Sequence, residues 1–312
     1  MQIIKGPTPL VQSNFAIVTA GTFDGLHLGH RKIIERLVQL AQEYKGESTL
    51  ITYDPHPRLV LQPEYKELRY LTTLDEKIAL LESTGLQRLV IIPFTIEFSE
   101  LSSLDFINQI LIGKLQTKKL VIGYDHRFGK NREGGFDYLK ANGANFGFTV
   151  EEISRADIDD AGISSTRIRK ALLEGDVSIA AKTLGRNYSL SGTVVEGRQL
   201  GRTLGYPTAN IVVDDPFKLI PADGVYANFT YLPDGRKVPS IMSIGTNPTV
   251  NGETRTVEAH LLDFNETLYA QKITVEFTNR LRGMVKFNGL EELKAAMAAD
   301  EQKARALFKA EG

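Results

Sequence analysis

The string Gly21-Thr22-Phe23-Asp24-Gly25-Leu26-His27-Leu28-Gly29-His30 follows directly on an apolar run and leads into an amphipathic one. A turn at the end of a buried strand and the start of a helix presents free backbone N–H groups and the positive end of the helix dipole to an anion. His27 and His30 can donate hydrogen bonds to phosphate oxygens there and stabilise charge that builds up during transfer, without acting as nucleophiles. Two other readings fit the same residues. The segment also reads as a glycine turn with two incidental histidines, and Asp24, His27, His30 and His56 could offer imidazole and carboxylate ligands to a divalent metal. The strand-to-helix position favours phosphate.

A second candidate is Gly201-Arg202-Thr203-Leu204-Gly205-Tyr206-Pro207-Thr208-Ala209-Asn210, which combines glycines, a cation and two small side-chain oxygen donors. Backbone able to approach phosphates, with Thr208 and Asn210 oxygens available to Mg²⁺, suits nucleotide binding; an ordinary turn fits as well. Further on, alternation puts Thr256, Glu258 and His260 on one strand face and Val257, Ala259 and Leu261 on the other. Glu258 can therefore face a site while its neighbours face a core, although pattern alone equally makes it part of a solvated outer face.

These residues need elements to hold them. Short apolar runs at 15–19, 49–53, 89–94, 120–124 and 148–153 read as buried parallel strands. Between them Ile34, Leu37, Val38 and Ala41 recur at helical spacing with Gly46 as a stop, a second helix passes Ile78 and Leu81 to end near Gly85, and Ser102 and Asp105 have capping-box spacing for a third. Strand and helix in alternation predict a doubly wound, Rossmann-like α/β sheet. Ser164 and Ser165 can cap a further helix through Ile168 and Leu172, and residues 175–185 form one more short helix. Beyond Gly185 the period changes to two, with Pro233-Asp234-Gly235 as a hairpin turn between strands at 226–231 and 238–244. With runs at 257–262 and 273–277 this predicts an antiparallel β-barrel, closed by a helix over 290–310 rich in Ala, Glu, Lys and Leu. The expected domains are residues 1–184 and 185–312.

Composition limits the function. With 312 residues the chain exceeds one domain of roughly 100 to 200 residues. Its 37 Lys+Arg against 38 Asp+Glu, a net charge of -1, give no broad basic field for nucleic acid, so small molecules are the expected partners. The absence of cysteine excludes disulfides, thiolate metal sites and a cysteine nucleophile. No signal-peptide pattern opens the sequence and no apolar run approaches about 18 residues, which reads as a cytoplasmic protein without membrane contact. Glycosylation patterns at Asn187, Asn228 and Asn265 are taken as chance. Residues 123–130 do not form a Walker-type loop, because the spacing is one residue too long and Asn131 follows Lys130.

Taken together the motifs resemble those of the bacterial bifunctional riboflavin kinase/FMN adenylyltransferases, over nearly the whole chain and in order. The 21–30 string is similar to the signature of the nucleotidylyltransferase superfamily in its FAD synthetase form. Asp54-Pro55-His56-Pro57, Gly123-Tyr124-Asp125-His126-Arg127-Phe128-Gly129 and Ile163-Ser164-Ser165-Thr166-Arg167-Ile168-Arg169 resemble that family's remaining motifs. The resemblance implies an N-terminal domain that transfers AMP from ATP to FMN, giving FAD and pyrophosphate. Gly21, Thr22, Phe23, His27, His30, Ser165, Thr166 and Arg167 would then bind ATP, with His27, His30 and Arg169 as catalytic groups. Asp54, Pro55, His56, Pro57, Asp125 and Arg127 would help form the FMN pocket, in which His126 replaces an aromatic residue, usually Phe. The Pro207-Thr208-Ala209-Asn210 core resembles the nucleotide motif of riboflavin kinases, which phosphorylate the riboflavin 5'-hydroxyl to make FMN. It implies ATP contacts from Gly201, Arg202, Thr208 and Asn210 and a Mg²⁺ ion on Thr208 and Asn210. Glu258 matches the general base and Arg282 the flavin-covering end, while Ala270 stands where glycine is usual and Ser243 where Asn is often seen.

Overall fold

The computed structural model describes residues 1–6, 15–62, 64, 68–124, 126–143, 145–154, 162–197, 201, 204–249 and 252–311. The chain separates into two compact units, Met1–Ser165 and Thr166–Gly312.

The first unit is built on a six-stranded sheet. Its strands are β1 (Gln2–Lys5), β2 (Ala16–Ala20), β3 (Glu47–Asp54), β4 (Arg88–Pro93), β5 (Thr117–Gly123) and β6 (Thr149–Ile153), all parallel, in the order β1-β4-β3-β2-β5-β6. Both faces are covered, so consecutive residues are buried on opposite sides: Ile17, Leu50 and Leu89 on one, Val18, Ile51 and Val90 on the other. Helix α1 (Leu28–Glu43) lays Ile33, Ile34, Leu37, Leu40 and Ala41 on the first face. Fully burying a side chain such as Leu37 contributes roughly 1.5–3 kcal/mol. Two shorter helices follow, α2 (Pro57–Leu61) and α3 (Leu74–Glu82); α3 is held by a capping box between Thr73 and Glu76. The chain runs from β2 outward to β3 and β4, then returns to the other side of β2 for β5 and β6. This order puts the topological switch between β2 and β5, where doubly wound sheets bind ligands at their carboxyl edge.

Some expectations shift in detail. Strand β1 has no counterpart in the sequence reading. Phe106–Ile112 is a π-helix continuing a single turn over Ser103–Asp105, so the third helix is wider than an α-helix. After α1 it is Lys45, at φ 50, that takes the left-handed conformation; Gly46 is needed because a Cβ there would lie 2.2 Å from the Phe15 carbonyl oxygen.

The second unit is a closed antiparallel barrel of β7 (Tyr188–Val195), β8 (Ala209–Val213), β9 (Gly224–Tyr231), β10 (Lys237–Thr249), β11 (Gly252–Leu261) and β12 (Lys272–Arg282), ordered β10-β11-β8-β7-β12-β9. Tyr188, Leu190, Tyr226, Met242, Ile244, Val257, Ala259, Val275 and Phe277 are buried. The helix Ser165–Leu173 begins at the division between the units, and Val177–Leu184, capped by Asp176 and ended by Gly185 at φ 70, belongs to the second. The closing helix is Leu290–Glu311.

Candidate active sites

In the first unit the turn after β2 leads into α1 with His27 as the N-cap: its Nδ1 accepts from the His30 backbone N–H at 3.3 Å. The two imidazoles stack, centroids 3.6 Å apart and 17° from parallel, and the Phe23 ring meets His30 edge-on at 5.1 Å. His30 lies half-buried beside His27 and Lys77 with its Nδ1 shut off from solvent, and desolvation, then those two neighbours, holds its pKa well below the ordinary imidazole value. It is therefore neutral at pH 7. Its Nδ1 has no hydrogen-bond partner within the described residues.

The loop geometry is unusual for its residue types. Gly25 has φ 84, and the non-glycine residues Phe23 and Leu26 also have positive φ, 47° and 40°, which costs each about 1–2 kcal/mol. Contacts from the entry to α3 hold this backbone. The Asp24 carboxylate, buried, accepts from the Leu71 and Thr72 N–H groups, both through Oδ1, at 3.0 and 3.1 Å. Gly25 N–H donates to Thr72 Oγ1 at 3.1 Å, and Lys77 Nζ donates to the Thr22 carbonyl at 2.7 Å. Ser165 Oγ donates to the Asp24 carbonyl at 2.8 Å, so Gly21, Thr22, Phe23, His27, His30 and Ser165 share one neighbourhood. Asp24 thus serves as a clasp, and no group of three His, Cys, Asp or Glu among the described residues is arranged to hold a metal ion. Thr72 and Lys77 were missed in the sequence. Lys77 carried a signal, because it lies four residues before Leu81 on the buried stripe of α3.

The other expected residues are placed as follows. Asp54 ends β3 and precedes Pro55 through a cis peptide bond. His56 caps α2, its Nδ1 accepting from Arg58 N–H at 3.2 Å, with Pro57 as the first helical residue. Arg127 donates to the His126 carbonyl at 3.2 Å, and the His126 ring stacks on Phe128 at 5.8 Å, as an aromatic residue would. Thr166 and Arg167 are exposed and Arg169 half-buried on the helix Ser165–Leu173, within the second unit. Asp125 and Arg202 lie outside the described residues.

In the barrel, β8 and β11 pair with Asn210 opposite Glu258. This register brings Thr208 Oγ1 to 3.1 Å from Glu258 Oε2, the hydroxyl donating. Gly201 folds the preceding loop back, its carbonyl accepting from Tyr206 N–H at 2.8 Å, and a Cβ at Gly201 would meet the Tyr206 carbonyl oxygen at 2.3 Å. Gly197 makes room for Asn210: a Cβ there would lie 2.0 Å from Asn210 Nδ2. His260, on the same face as Glu258, hydrogen-bonds the Pro207 carbonyl through Nδ1 at 2.8 Å. The Thr208 hydroxyl just before β8, with the Asn210 amide and Glu258 carboxylate oxygens on the paired strands β8 and β11, forms a donor set that fits a hard divalent cation. Arg282 is not part of this cluster; its Nε donates to both Asp300 oxygens at 3.1 and 3.0 Å, tying β12 to the closing helix, with the guanidinium over Phe287.

Similarity to known proteins agrees with this division. The profile described as FAD synthetase matches residues 11–167, and that described as riboflavin kinase matches residues 184–308. The chain is 37% identical to the bifunctional riboflavin kinase/FMN adenylyltransferase of Pseudomonas fluorescens, covering 98% of each chain. It is 34% identical to that of Escherichia coli (strain K12), over 99% of this chain and 98% of the other. A solved structure from Streptococcus pneumoniae, described as a macrolide-efflux protein, superposes with a TM-score of 0.89 at 30% identity over 98% of this chain and 99% of that one. Among the described residues of the present chain no helix is long and apolar enough to cross a membrane. With both profiles matched in order and full-length relatives above 30% identity, the chain belongs to the bifunctional riboflavin kinase/FMN adenylyltransferase family.

Proposed function

We propose that the two reactions of this bifunctional enzyme are divided between the residues as follows, with 1–184 as the adenylyltransferase domain and 185–312 as the kinase domain. In adenylyl transfer an FMN phosphate oxygen attacks the α-phosphorus of ATP, the bond to the bridging oxygen breaks, and pyrophosphate leaves. His27 and His30 donate to the phosphates at the N-terminus of α1, the 21–23 backbone lies along them, Ser165 and Thr166 donate hydrogen bonds to the triphosphate, and Arg167 and Arg169 neutralise the leaving charge. Asp54, Pro55, His56, Pro57, Asp125 and Arg127 hold the flavin. No covalent intermediate is needed, so positioning and electrostatics carry the step.

In the kinase reaction the riboflavin 5'-hydroxyl attacks the γ-phosphorus of ATP, Glu258 takes the hydroxyl proton, and ADP leaves. A primary alcohol is a poor nucleophile, which makes a carboxylate at this position a chemical requirement. Gly201 and Arg202 approach the nucleotide, and Arg282 supports the flavin side. Thr208 and Asn210 would hold Mg²⁺, which supplies charge neutralisation at the phosphates when bound. The observation that carries this reading is the Thr208–Glu258 hydrogen bond, which puts the expected base beside the expected nucleotide loop. ATP and flavins as reactants go with a cytoplasmic enzyme whose partners are small molecules.

Incubating the protein with riboflavin, ATP and Mg²⁺ and separating the flavins over time tests the assignment. Wild type should form FMN and then FAD, Glu258→Ala should form FAD only from added FMN, and His30→Ala should accumulate FMN. FMN formation by Glu258→Ala at the wild-type rate would remove Glu258 from its role.

A further inference from the structure

Lys77 is 7% exposed, and its ammonium lies inside the first unit beneath the 21–25 loop. Its two hydrogen-bond partners are neutral oxygens, the Thr22 carbonyl at 2.7 Å and Thr52 Oγ1 at 3.1 Å. Thr52, fully buried on β3, also donates to the Thr22 carbonyl at 3.2 Å, which closes a triangle of loop, strand and helix. Asp24 and Asp54 favour the ammonium at longer range, against the larger effect of burial, which lowers its pKa. Removing a cation from water carries a large desolvation penalty, whereas an apolar residue like Leu81 on the same stripe would anchor α3 to the sheet without it. A buried cation at this point therefore calls for a use.

Two consequences of the geometry supply one. In a planar trans peptide the carbonyl and the next N–H point in opposite directions. Drawing the Thr22 carbonyl inward to Lys77 turns the Phe23 N–H outward, away from the protein interior. It also over-determines a loop that contains two non-glycine residues at positive φ, a conformation that persists only where surrounding contacts enforce it. The ammonium further adds a positive field behind the loop, on the side opposite an incoming anion. We propose that Lys77 is a positioning residue for adenylyl transfer, fixing the Thr22 carbonyl and with it the phosphate-facing backbone of the 21–25 loop. This rests on the reading of that loop and His30 as the ATP phosphate site.

The bifunctional chain provides its own control. In Lys77→Met the turnover number for FAD formation from FMN should fall by roughly 100-fold, the loss expected for a misplaced reactive geometry. KM for FMN and the rate of riboflavin phosphorylation should stay close to wild type. The His30 imidazole should titrate at higher pH once the neighbouring cation is gone, read by NMR in a protein with 5 histidines. Because the chain has no cysteine, Lys77→Cys can be alkylated selectively with 2-bromoethylamine in denaturant and refolded. Thiolate displaces bromide, the ammonium is restored, and FAD formation should return. Wild-type turnover in Lys77→Met, or no recovery on alkylation, overturns the proposal. If Lys77→Met does not fold, Thr52→Val takes its place: reduced FAD turnover in a variant whose Tm lies well above the assay temperature supports the inference and wild-type turnover refutes it. A His30→Ala control separates the two levels. Its retention of FAD formation would sink the site reading itself, whereas an inactive His30→Ala beside a fully active Lys77→Met would sink only the role of Lys77.

Discussion

The loop after β2 and the Thr208–Glu258 pair, both proposed here to serve phosphate chemistry, are held in place differently. In the first, side chains that are themselves buried (Asp24, His27, Lys77) hold a backbone with unfavourable dihedrals. In the second, the ladder between β8 and β11 sets the register, and the reactive side chains project from it half-buried. Removing a side chain from the first site orphans buried partners, while removing one from the second leaves the ladder intact. Stability and activity should therefore fall together in the first unit and separately in the second.

The sharpest test on the barrel side is Glu258→Gln. FMN formation should drop by about 10²–10⁴-fold with no change in Tm, and any large loss of stability would contradict the comparison. On the other side, Asp24→Ala leaves the Leu71 and Thr72 N–H groups without their acceptor, so urea unfolding should show a loss of about 1–3 kcal/mol alongside the loss of FAD formation. Gly197→Ala forces the Asn210 amide aside; KM for the nucleotide in riboflavin phosphorylation should rise several-fold with little effect on unfolding.

A pH series distinguishes the regions again. His30 has a folded pKa below its unfolded value of about 6.5, so the unfolded state binds the proton first. The stability tied to neutral His30 is fully present above about pH 6.5 and is lost as pH falls toward the folded pKa. The first unit should therefore unfold more readily in acid, and His30→Gln should flatten that dependence. The smallest expected effect is a gain: Ala270 sits at φ 61, and Ala270→Gly should stabilise the barrel by about 1 kcal/mol, seen as a rise in Tm with both activities unchanged. This dihedral is also the physical reason that glycine is the usual residue at that position.

Much of this was legible in the residues. Doubly buried strands announce themselves as continuous apolar runs, and the histidine turn lies where such a run gives way to an amphipathic one, which marks a strand-helix junction by pattern alone. The exceptions have physical causes. Strand β1 is four residues at an edge, with exposed ends that carry no pattern. Strand β7 alternates, but its inward position 192 is glycine, where a Cβ would lie 2.4 Å from the Val212 carbonyl oxygen, and this breaks the apolar period. Asp24 looks like a ligand in sequence because it accepts from the Leu71 and Thr72 backbone N–H groups 47 and 48 residues away, which no local pattern reveals. Arg282, matched by resemblance to the flavin-covering end, pairs with Asp300 from the separate closing helix, which local sequence does not reveal.

The difference between an open sheet and a closed barrel also bears on solubility. Closure pairs every barrel strand on both sides, whereas among the described residues the parallel sheet ends in two borders, β1 and β6, without a further strand. Such borders are templates on which another chain can add a strand, and proteins blunt them by brevity and charge. Here β1 stops after four residues at Lys5, and β6 carries Glu151 and Glu152, the former engaged by Arg36 and Lys119. Neutralising Lys5 or Glu152 removes part of that protection and should raise the tendency to aggregate, read as light scattering at a fixed concentration.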